Sequence, residues 1–207
     1  MMRSLTVALF LLATACATER GTPARYDFDS AGALPESAVQ LDATIAIPEV
    51  AAPSWLRSNA LLYRLEYATP SRPQAYALSE WVAPPTELLT LRLRELVGKA
   101  NSSFTVSRLG SDREAYQLDV TLEQFVQVFS TPRESHCVVT LRATLIGRGT
   151  QFLAQRSFHA EQSAPTGDAA GAVYGLVQAS NADLEQILVW LRAALGSADV
   201  RKDLTPP

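Results

Sequence analysis

Strict alternation of apolar and polar side chains from Tyr116 to Glu123, repeated from Cys137 to Leu145, constrains this chain more than any other feature. Tyr116, Leu118, Val120 and Leu122 take turns with Gln117, Asp119, Thr121 and Glu123, and Cys137, Val139, Leu141, Ala143 and Leu145 take turns with Thr140, Arg142 and Thr144. Successive strand side chains point to opposite faces, so this rhythm predicts strands with one face on a core. Ser130-Thr131-Pro132-Arg133 and Gly147-Arg148-Gly149-Thr150 are turn signals, the second leading into Gln151 to His159. The spacing predicts an antiparallel meander of three strands. Between Phe125 and Phe129 the alternation breaks into Phe125-Val126-Gln127-Val128-Phe129, apolar on both faces. That end is either covered twice or sits beside a bulge at Glu123-Gln124.

Shorter alternating runs precede this block. Leu41, Ala43, Ile45 and Ile47 form one, closed by Pro48, and Leu61, Tyr63, Leu65 and Tyr67 form another. Tyr26-Asp27-Phe28 reads as a first edge strand, the stretch from Asp29 to about Gln40 as a loop, and Gln74 to Leu78 as a short strand. Phe104 and Val106 begin the strand-rich block. Pro84-Pro85-Thr86 opens a helix whose Leu89, Leu93, Leu96, Val97 and Ala100 share a face, with Arg92, Arg94, Glu95 and Lys99 on the other sides. A second, longer helix runs from Asp168 to Leu195, with Val173, Leu176, Val177, Leu184, Ile187, Leu188 and Leu191 at three-four spacing and Gly196 as its stop. At 1.5 Å per residue it spans about 42 Å, enough to cross a sheet. The expected fold class is α/β: a mixed, largely antiparallel sheet with two main helices packed on it.

The N-terminus is an address. Arg3, an apolar run from Leu5 to Leu12, and Ala13-Thr14-Ala15 before Cys16 are the parts of a secretory signal. The run falls short of the roughly 20 apolar residues that span a bilayer. A cysteine directly after small residues is what bacterial lipoprotein processing requires, the thiol taking a diacylglycerol and the new amine an acyl chain. Ala13-Thr14-Ala15 equally fits ordinary signal peptidase, which would leave a soluble periplasmic protein with a free thiol. The lipoprotein reading is the expected one, and Ala17, with no aspartate after the cysteine, points to the outer membrane, facing the periplasm. The expected organisation is residues 1–15 as lipoprotein signal, 16–25 as lipidated tether, 26–196 as one domain and 197–207 as a disordered tail.

Removing residues 1–15 takes away only Arg3 among the charges, so a formal charge of −3 becomes −4. A mildly acidic chain lacking a basic cluster excludes nucleic acid as a partner class. Cys137 reads as a small buried hydrophobe on the inner face of a strand. His136 and His159 are placed where they could face each other on neighbouring strands, with Asp168 nearby. A metal site needs three or four supported ligands, so two partly exposed histidines are the expected reading, with no metal and no catalytic residues. The sequence has no G-x-S-x-G, no H-E-x-x-H and no Gly-rich phosphate loop before a helix. Trp81 and Trp190 read as packing residues. Trp55, with Phe125 and Phe129 at the doubly apolar strand end, reads as a candidate patch for docking a partner.

Ala46-Ile47-Pro48, Ser54-Trp55-Leu56-Arg57-Ser58, Leu61-Leu62-Tyr63-Arg64, Glu80-Trp81-Val82-Ala83-Pro84-Pro85, Leu118-Asp119-Val120-Thr121-Leu122-Glu123-Gln124-Phe125 and Ile187-Leu188-Val189-Trp190-Leu191 occur in this order after Cys16. In this the chain resembles the ABC-type transport auxiliary lipoproteins, from about Tyr26 to Leu195. The resemblance implies a fold similar to the N-terminal domain of TolB. It implies a non-enzymatic envelope component with no cofactor beyond the covalent lipid on Cys16. The implied partners are a periplasmic MCE-domain protein and, through it, an ABC permease and ATPase moving phospholipids or other hydrophobic molecules between membranes. A homo-oligomer is compatible with it. The alternatives are a lipid-binding carrier with its own apolar cavity and a cell-envelope assembly lipoprotein.

Overall fold

The computed structural model describes residues 21–29, 39–101, 106–107, 116–147 and 150–203. The signal, Cys16, most of the loop after Asp29, Phe104 and the last four residues lie outside them.

The alternating segments form β1 (Ala24–Tyr26), β2 (Ile45–Ala46), β3 (Ala60–Leu65), β4 (Pro73–Trp81), β5 (Val106–Ser107), β6 (Tyr116–Phe129), β7 (Ser135–Ile146) and β8 (Phe152–Ser163), with helices α1 (Pro85–Ala100) and α2 (Ala169–Asp203). All eight strands belong to one mixed sheet. The meander is present: β6, β7 and β8 pair antiparallel along nearly their whole length. On its other edge β6 is shared, its start pairing parallel with β2 and its end parallel with β3. Beyond β3 come β4, antiparallel, and β1, parallel to β4. The strand expected over Gln74 to Leu78 is longer at both ends, since Pro73 is tolerated as a strand's first residue and Ser79–Trp81 pair with β1.

Both readings of the Phe125–Phe129 segment hold together. The β6–β7 register slips between Leu122 and Gln124, which is the bulge, and every residue from Phe125 to Phe129 is buried. Leu118, Val120 and Leu122 oppose Leu145, Ala143 and Leu141; after the slip Phe125 and Gln127 oppose Val139 and Cys137. Those partners alternate on one face of β7, so the extra residue keeps the bulky side chains of both halves of β6 under the helices. The opposite face carries a small cluster of Val126, Val128 and Val138, with Leu62 against it.

Helix α2 lies directly on β6, β7 and β8. Asp168 caps it, accepting the Gly171 N–H at 2.9 Å and the Thr166 hydroxyl at 2.7 Å. These bonds hold the Asp168 carboxyl below the usual carboxylate range. A Cβ on Gly175 would come within 2.6 Å of Cys137 Sγ, so the helix backbone touches the strand. Cys137 is fully buried there, and burial pushes its thiol up to about 12. The expected stop at Gly196 is passed: α2 continues to Asp203, so residues 197–203 are helical where a tail was expected. Gly196 costs the helix about 1 kcal/mol relative to alanine, but buried Leu195 and the Ser197 hydroxyl bonded to Ala193 O at 2.9 Å hold the turn across it.

Arg92 departs from its expected place on the polar side of α1. It is 5 % exposed, donates to Asn181 Oδ1 on α2 at 2.9 Å, lies 5.7 Å from the Phe28 ring centre, and has Asp29 at 3.6 Å. Asp183, also on α2, is fully buried with both carboxylate oxygens lacking a hydrogen-bond partner among the described residues. Burial pushes its pKa up to about 7, partly opposed by the charge of His159.

Two stability predictions follow from these contacts. Gly175→Ala should cost about 1–3 kcal/mol in urea denaturation, as overpacking does, and Cys137→Ala in the same chain should make the double variant's loss smaller than the sum of the single ones. Asp183 titrates near 3.9 when unfolded and near 7 when folded. Between those values the native state binds more protons, so stability falls as pH rises from about 4 to about 7 and then levels. Asp183→Asn should flatten that slope and raise stability at pH 8 by about 2–4 kcal/mol, read from denaturation midpoints across pH.

Candidate functional site

The three residues expected to form a docking patch are separated by the fold. Phe125 is 2 % exposed and Phe129 8 %, so neither can meet a partner. The bulge turns Phe125 under the helices, where its ring lies 5.6 Å from Trp81 and 6.2 Å from Phe28. Phe129 packs edge-on to Tyr63 at 6.0 Å. Trp55 alone of the three is at the surface, 45 % exposed. Its position follows from its neighbour: Ser54–Leu56 is a single 3-10 turn, and Leu56 plugs the core while Trp55 stays outside.

Trp55 borders the place where β6 changes partners. The chain pairs with Thr121 through Ala51, leaves the sheet, and rejoins β6 at Gln127 through Tyr63. The excursion between them carries Trp55 past the bulge. Together with the β3–β4 turn it encloses a cleft of about 380 Å³ lined by Trp55, Arg64, Pro70, Pro73, Glu123 and Val126, among others. Val126 belongs to the valine cluster on the sheet face away from the helices. Glu123 is ion-paired with Arg142 on β7. Arg64 has a buried Nε with no hydrogen-bond partner among the described residues. Sequence reasoning missed Arg64, because an outward arginine in an alternating strand looks like a solvated one.

Trp81 and Trp190 are packing residues. Trp81 is fully buried, and Trp190 meets Phe158 edge-on at 5.9 Å. The histidines do not face each other: His136 pairs with Ser163 and His159 with Thr140, four positions apart along the ladder. His159 is held instead by the Thr140 hydroxyl at 2.9 Å and Glu161 at 3.1 Å. Among the described residues no three His, Cys, Asp or Glu side chains gather as a metal site would need. No described helix is long and apolar enough to cross a membrane.

Cys16 precedes the described residues. The chain joins the sheet at β1 and is pinned there by Phe28, which is buried against Trp81 with ring centres 5.5 Å apart.

This arrangement is a mixed sheet domain seen in other proteins. A crystal structure of a Xanthomonas campestris protein of the DUF330 family superposes with a TM-score of 0.68 at 19 % identity, covering 87 % of this chain and 97 % of that one. A crystal structure of an uncharacterized protein does so at 0.61 and 20 % identity, covering 82 % and 99 %. A comparison with curated proteins gives no match. The chain belongs to the ABC-type transport auxiliary lipoprotein component family, whose model matches residues 26–188. That is a family of envelope lipoproteins associated with ABC-type transport, not of enzymes.

The division between core and surface aromatics is measurable. Phe125→Ala should destabilise the domain by about 3–5 kcal/mol, whereas Trp55→Ala should stay within about 0.5 kcal/mol, both read by urea denaturation.

Proposed function

We propose that this protein is a non-enzymatic adaptor, anchored by a diacylglycerol and an N-acyl chain on Cys16 to the outer membrane and facing the periplasm. Its folded domain holds a periplasmic MCE-domain protein, and through it an ABC permease and ATPase that move phospholipids or other hydrophobic molecules. The observation that carries the reading is the family match over residues 26–188, set behind a cysteine that follows small residues and a short apolar run.

The packing supports an adaptor over a carrier. A carrier needs an apolar cavity of several hundred Å³ that shields an acyl chain. Here the layer between helix and sheet is packed until a methyl on Gly175 would meet Cys137, and the cleft beside Trp55 is half lined by polar residues and has room for one chain at most. Phe28, Trp81 and Phe125 fill the other end of the core.

The test is purification of the protein from native membranes with its partners. Mass spectrometry should find the mature chain starting at an acylated Cys16, and an MCE-domain protein should co-purify. Cys16→Ser should move the protein from the membrane pellet to the fraction released by osmotic shock. An unmodified thiol at the mature start, or recovery of bound lipid with no protein partner, would remove the adaptor reading.

A further inference from the structure

We infer that the cleft beside Trp55 is a binding site for a single-chain amphiphile with an anionic head, such as an alkyl phosphate. The inference stands on the cleft alone and goes beyond the adaptor reading, since it needs neither the acylation of Cys16 nor a transport partner.

Three features of the cleft converge on that ligand. Its volume, about 380 Å³, lies at the small end of the range of ligand sites, which suits one chain and not a whole two-chain lipid. Half of its lining is apolar and largely stiff: Trp55, Pro70, Pro73 and Val126. Trp55 is held by the buried Leu56, and the prolines restrict the turn that faces it, so little order has to be gained on binding. The third feature is charge. Glu123 is engaged by Arg142, while Arg64 has no ion pair and a buried Nε with no acceptor among the described residues. Arg64 lines the cleft as a cation with no carboxylate partner among the described residues, and an anionic oxygen in the cleft supplies a charge-assisted bond to its guanidinium. The aliphatic stem of Arg64 and the adjacent indole then present apolar surface to the chain behind that head.

An uncharged amphiphile would leave Arg64 unanswered, and a free phosphate would leave Trp55 and Val126 wet. Recognition therefore requires both parts in one molecule.

The test uses the full mature chain with Cys16→Ser, which takes the protein's own lipid out of the assay. Trp55 is the most exposed of the three tryptophans, so its emission reports the site, and Trp55→Phe assigns the signal. Titration with dodecyl phosphate below its micelle concentration should give a saturable blue shift. Dodecyl maltoside and inorganic phosphate should each bind at least tenfold more weakly. Arg64→Gln should weaken dodecyl phosphate at least tenfold. Ser71→Glu, an exposed turn substitution that leaves folding intact, should do the same by placing a negative charge at the rim, without changing dodecyl maltoside. Should Arg64→Gln fail to fold, as judged by circular dichroism, Ser71→Glu decides. Equal binding by both variants, equal binding of the uncharged amphiphile, or phosphate binding as well as dodecyl phosphate overturns the proposal. So does an absence of amphiphile binding together with a photo-cross-linker at position 55 yielding only a polypeptide adduct in the native envelope, which assigns the cleft to a protein segment.

Discussion

One extra residue in β6 organises this domain. A strand of 14 residues that must bury bulky side chains along its whole length while changing partners on one edge cannot keep a single phase. The slip at Glu123 lets Leu122 and Phe125, three apart in sequence, point to the same side. It also re-aims the strand at the point where β2 leaves off and β3 takes over. The excursion that carries Trp55 crosses there, so the bulge creates both the continuous core under the helices and the cleft on the other face. Were the strand regular through Glu123 and Gln124, with no bulge to absorb the extra residue, Phe125 would point outward and Val126 inward, reversing the strand's second half.

The helix layer is set by contact and by polar groups that were placed under it. Gly175 admits Cys137, and the helix comes down until backbone meets strand. Arg92 joins the two helices through Asn181 and gathers Phe28 and Asp29 from the start of the chain. Such a buried cation is tolerated because its N–H groups have acceptors and an aromatic face. Asp183 has no donor to either carboxylate oxygen among the described residues, and burial raises its pKa.

Much of this was legible in the residues. Alternation over Tyr116–Leu122 and Cys137–Leu145, with turn residues between, fixed the meander, and the broken rhythm at Phe125 pointed to the bulge. Three-four spacing located both helices. What remained hidden has physical causes. Helix spacing places Arg92 beside the apolar face but cannot reveal that Asn181, 89 positions on, awaits it. Gly196 is a stop only where the following chain favours turning, and Ser197-Ala198-Asp199-Val200 does not. Phe125 and Phe129 were grouped with Trp55 because an apolar run does not say which of its faces is covered. Arg64 and Trp55 meet across a cleft built by two loops, and no local pattern records such a meeting.

The attachment of the chain's beginning to the sheet has a mechanical meaning. β1 runs parallel to β4 over three residues, and Phe28 just beyond it is locked among Trp81, Phe125 and Arg92. A pull delivered through the residues before Ala24 therefore acts along the strands and loads the β1–β4 hydrogen bonds together in shear, with the aromatic plug as the second stop. The load would enter the body at its sheet edge and pass through Phe28 to Arg92 on α1.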